Sequence, residues 1–183
     1  MATQPLPYVT EEEYLAQERD EWWVGDYYQG KIYPAEATTY QHSLIASNLL
    51  GVLATRALGR DCTVHGMGLM VQVKSTGLYV HPDITILCGP PQFSDVRKSA
   101  IVNPTAIIEI ASPSGKFKHY RKLPSLKEYI TVEQEAPEVT RHLRQSDRAW
   151  LDEDFEGLAN TLYVKTLDLE IPFSAIYEGV EFS

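Results

Sequence analysis

Two acidic residues in apolar surroundings, Asp83 and Glu109, stand out as the residues equipped for chemistry. Glu109 lies inside Thr105-Ala106-Ile107-Ile108-Glu109-Ile110-Ala111, a nearly continuous apolar run. A carboxylate is expensive to bury in such a run unless it is paired or holds a metal. An acid there points to function more often than to structure; the competing reading is a salt-bridged carboxylate at a strand end. Asp83 follows Pro82 at the head of a second apolar stretch, residues 84–87. Neighbouring strands would aim both carboxylates at one point. Hard oxygen ligands of this kind favour Mg²⁺ or Mn²⁺ over zinc. Such an ion activates water and stabilises the charge that grows on a phosphate.

Other residues are weaker candidates. His42, His65 and His81 contain no close zinc-ligand spacing, and scattered histidines are usually structural or exposed. Lys116, Lys118, Arg121, Lys122 and Lys127 fall within a stretch that holds no acid. That run reads either as a local basic groove or as a solvated helix face. The chain as a whole carries a net charge of −9. This argues against non-specific nucleic-acid binding by the whole surface, because phosphate contacts need Lys and Arg. A local groove for DNA remains compatible with it.

The elements that must position these residues follow from pattern. Thr10-Glu11-Glu12-Glu13 is a capping box that opens a short first helix. Gly30, between aromatic-rich runs around Trp22-Trp23 and Lys31-Ile32-Tyr33, marks a hairpin or sharp bend. The clearest helix spans residues 39–58, where Ile45, Leu49, Val52, Leu53 and Ala57 recur at three- and four-residue steps. Strands are predicted at residues 62–65, 69–73 and 80–87, the last ended by Gly89-Pro90-Pro91. A loop covers residues 92–104. The apolar run around Glu109 predicts a strand buried on both faces, as in the centre of an α/β sheet. A basic helix is expected at 116–123 and another helical turn at 125–129. Strands at 130–132, 139–144, 149–155 and 161–164 follow, and Ser174 is placed to cap a last turn at 175–177.

At 183 residues the length is that of one ordinary domain, so residues 1–183 are read as a single domain. A hydrophobic fraction of 44% is enough for a core that needs no disulfide or metal to fold. No segment reaches the roughly 18 apolar residues that span a membrane. The N-terminus lacks the basic flank and apolar run of a signal peptide. The only cysteines, Cys62 and Cys88, are read as two thiols without metal-ligand spacing, and the expected compartment is the cytoplasm.

The chain resembles the Uma-type restriction endonuclease family of the PD-(D/E)XK nuclease superfamily. The resemblance is carried by Asp26-Tyr27-Tyr28-Gln29-Gly30-Lys31-Ile32-Tyr33, His42, His81-Pro82-Asp83, Glu109-Ile110-Ala111-Ser112-Pro113-Ser114 and Lys127-Glu128-Tyr129. It extends to the tail at residues 176–182. The resemblance implies an α/β fold with a restriction-endonuclease-like core: a central mixed β-sheet flanked by helices, here with additional C-terminal strands. It also implies a metal-dependent DNA endonuclease that hydrolyses phosphodiester bonds with Mg²⁺ or Mn²⁺. Asp83 and Glu109 match the metal ligands. Ala111 stands where the signature lysine usually sits, and Lys116 matches a lysine that the family takes from the next helix. Asp26 matches an acidic residue of the first hairpin, one methylene shorter than the usual glutamate. His42 matches a histidine near the site. Lys118 and Arg121 are the further candidates for substrate contact. The sequence does not fix the oligomeric state; a homodimer would suit cutting two strands, and Trp22, Trp23, Tyr27 and Tyr28 read equally as an interface or as core packing. One departure motivates an alternative. The segment from Ser114 to Lys116 lacks about half a dozen residues, including an Asp-Arg pair, that the family usually has there. A displaced Lys116 would leave a catalytically degenerate nuclease fold acting as a binding or assembly domain.

Overall fold

Local chemistry starts the first helix as expected. Thr10 N donates to Glu13 Oε2 at 2.8 Å, and Glu13 N donates to Thr10 Oγ1 at 3.2 Å. Two of the orphan donors at the start of α1 (Glu11–Asp20) are thereby satisfied reciprocally. The computed structural model describes residues 8–20, 25–34, 38–110 and 115–182. Trp22 and Trp23 lie outside the described residues, as do Ala111 and the Ser112-Pro113-Ser114 segment. The hairpin at Gly30 forms between β1 (Asp26–Tyr28) and β2 (Lys31–Tyr33). Its two turn residues, Gln29 and Gly30, both take positive φ, at 48° and 81°. That is what a tight two-residue hairpin turn requires. Helix α2 (Tyr40–Ala57) is capped by Thr39, whose Oγ1 accepts from His42 N at 3.0 Å. Ile45, Leu49, Leu53 and Ala57 form its buried stripe.

The remaining strands sort into three sheets. Strands β3 (Cys62–Gly66), β6 (Ile84–Cys88), β7 (Ala106–Ile110), β8 (Glu128–Val132), β9 (Glu138–Arg144) and β10 (Trp150–Glu156) make the central sheet, in the order β10-β9-β8-β7-β6-β3. It is mixed: β7 and β8 run parallel, and the other pairs are antiparallel. A parallel pair needs a crossover. The described part of that crossover, residues 115–127, holds the short helix α3 (Phe117–Tyr120). A second sheet joins β2, β1, β5 (Leu78–Val80) and β4 (Val71–Val73) in that order. Strands β11 (Thr161–Val164) and β12 (Leu169–Pro172) pair with each other and lead into α4 (Phe173–Ile176).

Alternation along the central strands divides the core. Ile84, Ile86, Ala106, Ile108, Ile110, Ile130 and Val132 face one side, where α2, the β11–β12 pair and α4 cover them. Leu87, Ile107 and Tyr129 face the other side, beneath Tyr120, Leu123 and Leu126 of the crossover and Val71, Val73 and Val80 of the second sheet. Glu109 has the parity of Ile107 and therefore belongs to this second face.

Several local expectations are corrected. Residues 80–87 are not one strand. Pro82 interrupts them, and the chain passes from β5 in the second sheet to β6 in the central one. Proline has no N–H to give to a ladder, which suits it to that joint. Residues 125–129 hold no helix, because Lys127 N donates to Thr105 O and Glu128 and Tyr129 pair alongside β7. The basic helix is a single turn rather than residues 116–123. Ser174 lies within α4, whose N-cap position is Pro172. Strand β12 had no sequence expectation. The two cysteines are not separate thiols: the β3–β6 register places Cys62 opposite Cys88, and they form a disulfide.

Candidate active site

The joint between the two sheets gathers the candidate residues. The β6–β7 register pairs Ile84 with Ile108. One step further along both strands brings Asp83 opposite Glu109. Asp83 is fixed there by Ile110 N, which donates to its Oδ2 at 2.7 Å. Its other oxygen, Oδ1, stands 3.1 Å from His42 Nε2 in the first turn of α2. Asp26 arrives from the second sheet, where β1 pairs with β5, and its Oδ1 accepts from His81 N at 3.1 Å. Lys116 arrives from the crossover. Its Nζ lies 2.9 Å from Asp26 Oδ2 and 3.8 Å from Glu109 Oε1. Asp26, His42, Asp83, Glu109 and Lys116 therefore converge, although five different segments carry them. Lys116 thus lies beside both carboxylates although the sequence between Ser114 and Lys116 is short. Lys118 and Arg121 are not part of the cluster. Both are exposed, and Arg121 lies over the Phe117 ring at 5.5 Å.

Electrostatics follow from burial and from the excess of acids. Burial pushes the Glu109 carboxyl up to about 7; the Lys116 ammonium opposes this and the Asp83 charge adds to it. Burial works against the Lys116 charge, yet Glu109 and Asp26 hold its pKa above the ordinary value. His42 is also raised, chiefly by its hydrogen bond to Asp83, against the pull of burial. His81 is lowered by burial.

A residue missed by sequence reading is Tyr120. Its buried hydroxyl donates to Glu109 Oε1 at 2.6 Å. It stands four residues after Lys116, the spacing at which side chains of one helical turn meet. That spacing was its only signal. The zinc alternative is not realised, since His42 pairs with Asp83 while His65 Nε2 contacts Thr63 Oγ1 on β3. Among the described residues no group of three or more His, Cys, Asp or Glu side chains is arranged to hold a metal. The Asp83–Glu109 pair is nonetheless apt for one hard cation. Its donors are all oxygen, the ligand type that Mg²⁺ and Mn²⁺ take. Mg²⁺ commonly binds through one or two carboxylates and keeps several waters.

The chain is similar to known proteins in sequence and in fold. A family model for Uma2, whose description reads "Putative restriction endonuclease", matches residues 11–174. The chain belongs to the Uma2 family. Two uncharacterised proteins of Synechocystis sp. are similar over most of their lengths. One is 29% identical, with 97% of this chain and 96% of the relative covered. The other is 27% identical, with 81% and 88% covered. A crystal structure titled as a "putative nuclease belonging to DUF820" from Anabaena variabilis superposes with a TM-score of 0.70 at 16% identity, over 85% of this chain and 90% of that one. At that identity the likeness shows the fold. This Uma2 chain has the nuclease-type arrangement of a mixed sheet with flanking helices and extra C-terminal strands.

Proposed function

We propose that this Uma2 protein is a metal-dependent DNA endonuclease that hydrolyses phosphodiester bonds. The observation that carries the reading is the convergence of Asp83, Glu109 and Lys116 at one end of two adjacent central strands. Asp83 and Glu109 would hold Mg²⁺ or Mn²⁺. Such an ion, when bound, supplies charge stabilisation at the phosphate and lowers the pKa of a coordinated water. The chain's own residues do the rest. Ile110 N–H and His42 fix the Asp83 carboxylate from two sides. Tyr120 fixes Glu109. Lys116 presents a preorganised positive charge beside Glu109, where it can orient the attacking water or stabilise the phosphate oxygens. Asp26 holds that ammonium in place, and the His81 backbone N–H holds Asp26.

The test is nicking of supercoiled plasmid by the purified chain with Mn²⁺ or Mg²⁺. Native protein should convert supercoiled to open-circular DNA. Asp83→Ala and Lys116→Ala should each slow conversion by on the order of 10²–10³-fold, the usual cost of removing one preorganised charge or donor. Undiminished cleavage by Asp83→Ala, or no cleavage by native protein, would sink the reading. The latter result would favour the binding or assembly alternative.

A further inference from the structure

The cluster uses one cation of the basic run, Lys116, and leaves the others elsewhere. Arg121 and Lys122 border a concavity of about 490 Å³ together with Arg144, Arg148 and Asp147. We propose that this concavity is a second phosphate-binding site, which grips the backbone of a DNA strand about five nucleotides from the reacting centre. The choice of DNA rests on the nuclease reading above; the site itself rests on charge, preorganisation and placement.

Charge comes first. The lining sets four cationic side chains against a single carboxylate, Asp147, in a chain whose net charge is −9. The neighbouring edge strand β10 shows the reverse, with exposed Asp152, Asp154 and Glu156. A polyanion is therefore drawn to the crossover side and repelled from that edge.

Preorganisation comes second. Arg144 Nε donates to Leu126 O at 2.6 Å, and its Nη2 donates to Arg121 O and Leu123 O at 2.7 Å each. Its guanidinium lies over the Trp150 ring at 4.6 Å, as Arg121 lies over Phe117. Both planar groups are held by ring faces. Less side-chain freedom is then lost when an anion arrives. Arg144 also ties down the turn that carries Arg121 and Lys122.

Placement comes third. Glu109 pairs with Thr131, and Thr131 pairs with Thr140. Thr140 thus stands level with Glu109. Alternate residues share a face, so Arg144, four residues beyond Thr140, lies on the same face as Glu109. At about 3.3 Å per residue along the strands and about 4.8 Å for each of the two strand spacings from β7 to β9, the separation is about 16 Å. One DNA strand advances about 3.4 Å per phosphate, so this distance spans about five nucleotides. The crossover bridges the interval, with Lys116 at one end and Arg121 at the other.

The experiment is fluorescence anisotropy of a labelled 20-base-pair duplex across a KCl series, without divalent cation so that no strand is cut. The full chain carrying Arg121→Glu and Arg148→Glu should bind about tenfold or more weaker than native. The slope of log affinity against log salt should fall by about two, close to 0.9 for each phosphate that is no longer neutralised. Arg56→Glu with Lys165→Glu makes the same charge change on the opposite face, and should weaken binding by no more than about twofold. Equal weakening by the two pairs, or unchanged binding in the first, overturns the site. Inorganic phosphate at constant ionic strength is the second arm. Displacement of the duplex by sub-millimolar phosphate overturns a strand-binding site in favour of a small-anion pocket, whereas resistance to it supports the strand. The nicking assay separates the two claims. Pocket-dependent binding without any Mn²⁺-dependent nicking supports the site and removes the nuclease reading; nicking by native protein with pocket-independent binding does the reverse.

Discussion

Glu109 is held under electrostatic tension by its burial. It is buried in an isoleucine-rich strand, faces the Asp83 charge and is relieved by Lys116 and the Tyr120 hydroxyl. Its carboxyl is raised from the ordinary value of 4.5 to about 7. The folded chain therefore binds this proton more tightly than the unfolded chain does. The associated stability is full below about pH 4.5 and is lost as pH rises through about 7. Glu109→Gln, which keeps the shape and removes the charge, should be more stable than native at pH 8 and nearly equal to it at pH 4.5. Thermal melts of the two proteins in chelator at both pH values measure this. A pH-independent difference would show that Glu109 is not the group titrating. Added Mn²⁺ should raise the native melting temperature at pH 8 and leave the Gln variant unmoved, since a ligand that binds only the folded state stabilises it.

At the scale of elements, the site depends on how α2 begins and on where β5 gives way to β6. Thr39 caps α2 through its bond to His42 N, and the same residue's ring reaches Asp83. The cap therefore sets both the start of the helix and the support of a site carboxylate. Thr39→Ala should cost about 1 kcal/mol of stability by chemical denaturation, the usual cost of losing an N-cap oxygen. A loss below about 0.3 kcal/mol would show that the cap is replaced by water. The β5–β6 joint acts differently. His81-Pro82-Asp83 lets a continuous hydrophobic stretch serve two sheets, so that Asp26 from one and Glu109 from the other meet across it. Pattern alone read residues 80–87 as a single strand, because alternation does not record a change of sheet.

For the whole molecule, the Cys62–Cys88 disulfide joins edge strand β3 to β6, the strand that Asp83 precedes. It closes a loop of sequence separation 26. Loop-closure entropy assigns such a crosslink about 3–4 kcal/mol. At about 2–4 °C per kcal/mol for a domain of this size, reduction should lower the melting temperature by about 6–16 °C. Parallel melts with and without reductant, using Cys62→Ala with Cys88→Ala as a reductant-insensitive control, check this. An unchanged melt would place the stability entirely in the packed core around Ile84, Ile108 and Leu49. Among the described residues no helix is long and apolar enough to cross a membrane.

The sequence by itself determined what near neighbours decide. The Thr10–Glu13 cap, the Gln29-Gly30 turn, the stripe of α2 and the buried strand around Glu109 each depend on residues within a few positions, where spacing and side-chain type suffice. It also singled out Asp83 and Glu109, because an acid in an apolar run is costly wherever the run ends up. Only the tertiary structure decided that these two stand opposite each other, since the β6–β7 register is set by the packing of whole faces. The approach of Lys116 to Asp26, the hydroxyl of Tyr120 on Glu109, the pairing of Cys62 with Cys88 and the extension of the strand at 130–132 back to Glu128 are likewise long-range outcomes. A local pattern assigns a residue to a face. Which other face it meets is fixed by how the sheets, the crossover and α2 pack together, and that arrangement brings the charges of this site within a few ångströms.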